Sequence, residues 1–318
     1  MTNYIIISSY QRRRIIVEIK TLINEFCKTR PEAEVIIGYG SGVKKQANDK
    51  GFDKQIDLIM GVKDSTKWHQ ENYQENPKDY SKLGYLLLPL YKNLGTKINY
   101  LSYLPFKDNM FKIGVVQTND LIDDLFCWDN FYLAGRCQKS VDVIKSTQLL
   151  DQAIIHNRLN ALKIALLLSE KKEISKIELY ELLCSLSFIG DWRKILHVEN
   201  ANKVKNIVNG SLEELENIYN PLNKNYYSQI DNDLISINFE RILNETMTLP
   251  IPIENKLDMQ TINSHHISQE ELKKIREIIL TYLTKVNIKA SAAQPFKGLL
   301  INGVSKTKTY LMQKLEKK

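Results

Sequence analysis

A short apolar run near the N-terminus leads directly into a segment rich in glycine and serine. Residues 35–37 are Val-Ile-Ile, and residues 38–42 read Gly-Tyr-Gly-Ser-Gly. Glycines at such a turn let backbone N–H groups approach a phosphate, and a serine hydroxyl adds a further donor. Gly40, Ser41 and Gly42 are therefore predicted to bind phosphates, although a tight turn without a ligand would have the same composition.

A second apolar run carries one carboxylate. Residues 56–60 read Ile-Asp-Leu-Ile-Met, with Asp57 near the start. A carboxylate beside a phosphate-binding turn can hold the Mg²⁺ ion that bridges the phosphates of a nucleoside triphosphate. A Gly-Ser turn facing an aspartate on the next strand is typical of nucleotidyltransferases. Asp57 is the predicted metal ligand, and Asp53 is a second candidate.

Three further side chains are candidates for the same site. Lys112 lies in a predicted strand and is expected to neutralise phosphate, unless it is a solvated lysine at a sheet edge. Trp68 and His69 are candidates for stacking on, or hydrogen bonding to, the nucleotide; packing in the core is an equally good interpretation. His265 and His266 lie in a polar segment without other ligand-like neighbours, so we assign no metal to them.

Composition limits the class of protein and of partner. The chain has 318 residues, of which 43% are hydrophobic and 25% charged, so it is long enough to bury a large core and favours two domains over one. The net charge of +7 favours a polyanionic partner, which could be a nucleotide, a nucleic acid or an anionic lipid headgroup. The four cysteines lack metal-ligand spacing, so we predict buried thiols without zinc or disulfides.

The elements that position these residues change along the chain. Strands are predicted at 97–104 and 110–116, and a helix from Thr118 or Asn119. From about Asp142 the pattern is helical. Segments 220–234 and 249–255 are predicted to be connections between elements. No apolar run is long enough to form a helix that spans a bilayer. Three capping boxes mark further helix starts: Ser175 with Glu178, Ser211 with Glu214, and Ser268 with Glu271.

The last residues form a basic amphipathic stretch. Residues 303–318 contain five lysines and one glutamate among apolar side chains. Such a segment can lie on an anionic membrane surface, although an ordinary solvated terminal helix has the same pattern.

Short motifs follow one another in a characteristic order along nearly the whole chain. They are Gly38-Tyr39-Gly40-Ser41-Gly42-Val43 with Gln46; Ile56-Asp57-Leu58-Ile59 with Gly61-Val62; Trp68-His69 with Asn72; Asn76-Pro77 with Tyr80-Ser81; Lys112-Ile113-Gly114-Val115-Val116; Trp128; Tyr132-Leu133-Ala134-Gly135-Arg136 with Gln138-Lys139; Leu186-Ser187 with Gly190-Asp191 and Arg193; Lys203-Val204 with Asn206-Ile207-Val208; Met247-Thr248-Leu249-Pro250; and Lys297-Gly298. In these motifs and their order the chain resembles the mitochondrial-type CDP-diacylglycerol synthases, also known as the mitochondrial translocator assembly and maintenance protein family.

The resemblance implies an α+β fold in three parts. Residues 1–140 would form a nucleotidyltransferase-like mixed-sheet domain that binds CTP and Mg²⁺. Residues 141–250 would form a helical domain with a winged-helix-like unit, and residues 251–318 a helical region whose tail contacts the membrane. The implied reaction joins CTP and phosphatidic acid to give CDP-diacylglycerol and pyrophosphate, feeding phosphatidylglycerol and cardiolipin synthesis. The implied partners are CTP, phosphatidic acid and an anionic membrane surface, and not nucleic acid.

The resemblance also extends the candidate site. Tyr80 joins Trp68 and His69 as a CTP-binding candidate. A second set is expected to bind the phosphates of CTP or phosphatidate between domains, because two anionic substrates repel each other unless cations neutralise them. This set comprises Arg136, Lys139, Asp191, Arg193 and Lys203. Surface charge is the alternative explanation for each of these residues taken separately.

One position departs from the wider nucleotidyltransferase pattern. Many such enzymes have a second carboxylate two residues before the position of Asp57, where this chain has Gln55. A phosphomonoester has a second pKa near 6 and is already largely dianionic at neutral pH. We therefore expect catalysis without a general base, through positioning and charge neutralisation.

Two other functions fit part of the pattern. A nucleotidyltransferase with a nucleic-acid acceptor fits the basic charge, but one carboxylate suits activation of a ribose hydroxyl poorly. A non-catalytic lipid-binding assembly protein would have no need of the Gly-Ser turn and Asp57. Without a convincing presequence, the expected location is the cytoplasmic face of a bacterial inner membrane, with the matrix side of the mitochondrial inner membrane as the alternative.

Overall fold

The computed structural model describes residues 9–40, 42–43, 55–190, 202–245, 249–257 and 267–316. It contains two β-sheets and helices that pack on and between them, which confirms a mixed α+β fold. The helices are α1 (Ser9–Cys27), α2 (Ser65–Glu75), α3 (Lys82–Tyr91), α4 (Thr118–Cys127), α5 (Ala134–Cys137), α6 (Gln148–Leu168), α7 (Lys176–Ser185), α8 (Lys203–Tyr219), α9 (Phe239–Leu243), α10 (Ile251–Glu254) and α11 (Gln269–Glu316).

The larger sheet has five strands in the order β3-β4-β2-β1-β5. β2 pairs with β4 in parallel, and the other neighbouring pairs are antiparallel. β2 and β4 are central strands, which explains their nearly continuous apolar sequences. The strands are β1 (Val35–Tyr39), β2 (Ile56–Val62), β3 (Asn99–Phe106), β4 (Asn109–Gln117) and β5 (Asp142–Lys145).

The predicted elements of the first half are confirmed within two residues. β3 and β4 occupy the predicted strand regions, and α4 begins at Thr118. The fifth strand lies beyond residue 140, where the sequence suggested a helical region. β5 pairs with β1 at Ile37 and Val143, so the first sheet extends into the segment assigned to the second domain. Four half-buried or exposed residues are too few for strand periodicity to be recognisable.

A smaller sheet lies in the second half of the chain. Its strands β6 (Glu173–Ser175), β7 (Tyr227–Gln229) and β8 (Leu234–Ile237) are ordered β6-β8-β7. The segment 220–234, predicted as a connection, therefore contains an edge strand. Ser228 and Gln229 of β7 are exposed, which gives the strand its loop-like polar sequence. The predicted connection at 249–255 likewise contains the short helix α10.

Two of the three capping boxes are confirmed. Glu178 N donates to Ser175 Oγ at 3.1 Å, and Glu271 N donates to Ser268 Oγ at 3.2 Å. The third pair is confirmed only in part. Ser211 has a non-helical backbone, with φ of −138°, and lies at a kink where two helical segments of α8 meet. A helical segment therefore follows Ser211 as predicted, but the serine hydroxyl donates to the Ile207 carbonyl of the preceding segment at 2.6 Å.

The C-terminal helix α11 joins the end of the chain to the first sheet. Ser81, which caps α3, donates from its hydroxyl to the Leu300 carbonyl at 2.6 Å. Asn302 accepts from Ser102 N at 2.8 Å and donates to the Tyr100 carbonyl at 3.0 Å. The backbone of α11 then bends at Gly303, where φ is 78°. Within the described residues, no helix has the length and apolar character needed to cross a bilayer.

Candidate functional site

Tyr39, Asp57 and Lys112 lie side by side in one row across three neighbouring strands. Tyr39 pairs with Asp57, and Asp57 pairs with Lys112. Directly opposed residues of a sheet project to the same face, so the three side chains share it. Lys112 Nζ lies 3.3 Å from Asp57 Oδ1, and these two side chains are 22% and 24% exposed. The row therefore presents an anion and a cation that a ligand can reach. We call these three residues the Asp57 row.

Two glycines leave room beside the carboxylate. Gly40 has a φ of 75°, and a Cβ atom there would lie 3.3 Å from Asp57 Oδ2. A Cβ atom at Gly42 would lie only 2.1 Å from the Gln55 carbonyl oxygen. A side chain at position 42 would thus force the turn away from the start of β2. The structure therefore brings Gly40 to the Asp57 carboxylate and Gly42 to the backbone at the start of β2, an arrangement that fits a phosphate-binding turn.

Tyr100 lies beside Lys112 and contacts Tyr39. Its ring centre lies 4.5 Å from Lys112 Nζ, and its hydroxyl lies 3.4 Å from the Tyr39 hydroxyl. Burial raises the pKa of both phenols above the usual range, so they are neutral at physiological pH. The charges in this part of the site consequently come from Asp57, Lys112 and the neighbouring Arg136.

Arg136 is held by two aromatic rings. Its guanidinium carbon lies 3.7 Å from the Tyr132 ring centre and 5.6 Å from the Tyr39 ring centre. Nη1 donates to the Tyr132 carbonyl at 2.6 Å, whereas the buried Nε has no hydrogen-bond partner in the part of the chain that the structure describes. Because Tyr39 is the cross-strand neighbour of Asp57, Arg136 approaches the row from the side of β1. A guanidinium fixed in this way suits recognition of a phosphate.

A buried polar network fixes the loop that carries Arg136. Asp124 accepts from the backbone N–H groups of Leu133 and Ala134 at 2.7 and 3.1 Å. Asn157 on α6 donates to the Ala134 carbonyl at 3.0 Å and accepts from Trp128 Nε1 at 2.7 Å. These bonds orient α5, and with it the arginine. No local sequence motif marks Asp124 or Asn157, because their partners lie in other elements, 9 to 29 residues away.

Two of the predicted phosphate-binding lysines converge on one aromatic ring. Lys139 Nζ donates to Ser187 Oγ at 2.6 Å and lies 4.5 Å from the Phe188 ring centre. Lys203 Nζ lies 5.1 Å from the same ring centre. Arg136 lies on α5 and Lys139 lies two residues beyond its end, so this short segment carries cations both at the Asp57 row and beside Phe188.

Trp68, His69 and Tyr80 lie away from the Asp57 row. Trp68 Nε1 donates to the Pro31 carbonyl at 2.9 Å. Pro31 precedes the first residue of β1, whereas Tyr39 is the last residue of that strand, so Trp68 and Tyr39 lie near opposite ends of β1. His69 Nδ1 is 2.8 Å from the Tyr80 hydroxyl, and all three side chains are buried. Burial, with Lys297 and Lys92 nearby, lowers the pKa of His69 to about 3. This placement matches the core-packing interpretation raised for Trp68 and His69.

Four of the candidate site residues, Ser41, Asp53, Asp191 and Arg193, lie outside the described residues, as do His265 and His266. Gln55, in the position of the missing second carboxylate, directs its amide to the Phe111 carbonyl at 3.4 Å.

The donor set around Asp57 fits a magnesium ion that is shared with a substrate. Within the described part of the chain, no group of three or more histidine, cysteine or acidic side chains forms a complete metal cage. Magnesium commonly binds through one or two carboxylates plus substrate phosphates and water. Asp57 Oδ1 is buried and, among the described residues, has no hydrogen-bond donor besides its ion-pair contact with Lys112. Its other oxygen faces the space beside Gly40. This arrangement fits a magnesium ion whose remaining ligands are substrate phosphates and water.

Comparison with known proteins decides the family. The sequence profile of the family described as "Phosphatidate cytidylyltransferase, mitochondrial" matches residues 19–317. The chain belongs to this family. This match confirms the family resemblance seen in the ordered motifs. It also confirms the prediction of an enzyme of the phosphatidate cytidylyltransferase class.

Individual relatives agree with the family profile. Proteins named "Phosphatidate cytidylyltransferase, mitochondrial" include one from Schizosaccharomyces pombe, 28% identical over 89% of this chain and 80% of the relative. One from Danio rerio is 26% identical over 94% of this chain and 93% of the relative. The Homo sapiens protein is 28% identical over 86% of this chain and 65% of its own length. These eukaryotic, mitochondrial names give no support to the predicted bacterial inner membrane.

Proposed function

We propose that the phosphatidate cytidylyltransferase reaction of this family takes place at the Asp57 row. The observation that carries the proposal is the contact of Asp57 with Lys112 beside the open turn at Gly40. CTP would bind with its phosphates against this turn. A phosphate oxygen of phosphatidate would attack the α-phosphorus, and the bond between that phosphorus and the bridging oxygen to the β-phosphate would break. The products are CDP-diacylglycerol and pyrophosphate.

The charges around the row support this reaction. A triphosphate and a phosphomonoester repel each other, and cations must offset that repulsion. Lys112 and Arg136 supply two positive charges to one face of the sheet, held by Tyr100 and Tyr132. Lys139 and Lys203, together near Phe188, would extend the positive surface towards the second phosphate-bearing substrate.

Asp57 would hold a magnesium ion together with the CTP phosphates, and Asp53 is the further candidate ligand. When bound, that ion supplies positive charge and orients the triphosphate. Tyr39 and Tyr100 are uncharged and remain protonated, so neither acts as a base at neutral pH. The phosphatidate dianion needs no deprotonation. The residues of the row therefore bind, orient and neutralise, without accepting a proton.

The order of elements supports the finer fold likenesses. A mixed sheet whose second strand carries Asp57 is suited to a nucleotidyltransferase-like domain. In the second half, the order α6, β6, α7, α8, β7, β8 is the order expected for a winged-helix-like unit. We further propose that the chain works as a peripheral enzyme on the matrix side of the mitochondrial inner membrane. The names of its relatives and the basic segment 303–318 support this location.

The experiment uses CTP labelled at two different phosphates. The purified chain is incubated with phosphatidate in detergent micelles and Mg²⁺. Label from α-phosphate should enter the organic phase as CDP-diacylglycerol, whereas label from γ-phosphate should remain in water as pyrophosphate. Chelation of the metal should abolish both signals. Release of γ-label as orthophosphate, or transfer of α-label to added RNA without lipid product, would contradict the proposal.

A further inference from the structure

Helix α3 exposes a stripe of leucines. Leu83, Leu86 and Leu90 are 61%, 71% and 83% exposed. Their spacing of three and four residues places them on one side of the helix. Gly84, Leu88 and Tyr91 form the buried side. Leu94, just beyond the helix, is 48% exposed. We call Leu83, Leu86, Leu90 and Leu94 the leucine surface. Contiguous exposed apolar residues of this kind mark sites of interaction.

The C-terminal helix extends this apolar region. α3 and α11 touch so closely that a Cβ atom at Gly84 would lie 2.0 Å from the Leu300 carbonyl oxygen. A Cβ atom at Gly95 would lie 2.2 Å from the Ala293 side chain, so the two segments run antiparallel. α11 exposes Phe296 and Leu299 by 49% and 41%. Exposed apolar side chains thus occur on both of two directly packed segments.

The charge of the two segments identifies the kind of partner. Residues 80–107 contain no aspartate or glutamate, and neither do residues 287–315. Exposed lysines flank the apolar side chains, with Lys78 and Lys82 near the start of α3 and Lys289 on α11. Asp79 is buried and paired with Arg30 at 3.2 Å. Leucines surrounded by cations, with acidic groups excluded, complement the interface of an anionic bilayer.

We propose that the leucine surface inserts into the interface of an anionic lipid bilayer. Its leucines would enter the boundary between headgroups and acyl chains, while Lys78 and Lys82 contact anionic headgroups. α11 continues past this surface through the bend at Gly303 to Glu316, and we place its lysine-rich end on the same membrane. The proposal rests on the proposed function, because an enzyme that uses phosphatidate must work at a bilayer. It adds a second, separate contact that holds the body of the enzyme on the lipid.

The test compares two double variants of the full chain. Leu86→Ser with Leu90→Ser removes the centre of the leucine surface. Leu149→Ser with Ile155→Ser is the matched control, because these side chains are 50% and 55% exposed on α6. Binding is measured by flotation with vesicles of phosphatidylcholine and phosphatidylglycerol. Phosphatidate is left out, so that occupancy of the active site does not contribute to binding.

The leucine variant should bind these vesicles about tenfold or more weakly than wild type, and the control should bind as wild type does. Both should retain wild-type activity on a water-soluble short-chain phosphatidate. Binding by the leucine variant equal to that of wild type would overturn the proposal. So would a wild-type dimer that this variant converts to a monomer, because the surface would then join two copies of the chain. If wild type turns over neither phosphatidate in detergent micelles nor the short-chain phosphatidate, the proposed function fails. The flotation experiment would still show whether the leucine surface binds a membrane.

Discussion

Lys112 Nζ and Asp57 Oδ1 are 3.3 Å apart across the parallel strands β2 and β4. The pair lies at the point where Gly40 leaves space beside the other oxygen of the carboxylate. If Asp57 holds a magnesium ion as proposed, the site has two ways to neutralise phosphate, through the metal and through Lys112. The ring of Tyr100, 4.5 Å from the ammonium group, limits the directions that Lys112 can take.

Lys112→Met should lower kcat by about a hundredfold, because one preorganised charge that stabilises the transferring phosphate is lost. Lys112→Arg should retain part of the activity, since the charge remains. Both variants should unfold at nearly the wild-type temperature, because the side chain is partly exposed. Initial rates at saturating CTP provide the measurement. A methionine variant as active as wild type would remove Lys112 from the reaction.

Gly42→Ala should abolish CTP binding, because its Cβ atom would collide with the Gln55 carbonyl and displace the turn. Gly298→Ala is the matched control. A Cβ atom there meets nothing within 4 Å, and alanine favours the helix by roughly 1 kcal/mol. Isothermal titration with CTP and Mg²⁺ distinguishes the two variants. Equal CTP affinity in both would show that the turn does not contact the nucleotide.

The sequence predicts those parts of the site that are close together in the chain. Gly40 and Gly42 follow β1 and Asp57 lies at the start of β2, the next described strand in the chain, and their types already indicate phosphate and metal binding. Tyr100 could not be found in this way, because its position beside Lys112 depends on the pairing of β3 with β4. The role of Arg136 came from the family resemblance, whereas the stacking that holds it requires the fold.

Trp68 and His69 suit either a nucleotide or the core, and the sequence left both interpretations open. In the structure the tryptophan N–H bonds the Pro31 carbonyl and His69 Nδ1 contacts the Tyr80 hydroxyl, both away from the Asp57 row. A sequence does not show whether a polar atom is satisfied internally. Ser211 matched the pattern of a capping box and lies where two helical segments of α8 meet, yet its hydroxyl bonds the carbonyl of Ile207 in the preceding segment.

Arg136→Lys should raise KM for a phosphate-bearing substrate about tenfold or more, with a smaller effect on kcat. Lysine retains the charge but loses the planar group that stacks on Tyr132 and bonds its carbonyl. Separate titrations of CTP and of phosphatidate will show which substrate the arginine contacts. Unchanged KM values for both would assign Arg136 a purely structural role.

Acid should destabilise the protein through His69. Burial lowers the pKa of this histidine to about 3, from 6.5 in the unfolded chain. Between these values the unfolded state binds more protons, so stability falls as the pH drops from about 6.5 towards 3. The expected loss at pH 5 is about 2 kcal/mol relative to neutral pH.

His69→Gln removes this titration while keeping a polar partner for Tyr80. The difference between urea midpoints at pH 7.5 and pH 5 should therefore be smaller in the variant than in wild type. An identical difference in both proteins would mean that His69 is not held neutral in the core.

The most direct test of the whole account measures CDP-diacylglycerol formation from CTP and phosphatidate with Mg²⁺, for wild type and Asp57→Asn. Asp108→Asn, in the exposed turn between β3 and β4, is the control for loss of a carboxylate. The account predicts turnover in wild type and control, and a loss of at least about a hundredfold in Asp57→Asn with an unchanged melting temperature. Near-wild-type turnover by a folded Asp57→Asn variant would place the reaction elsewhere in the protein.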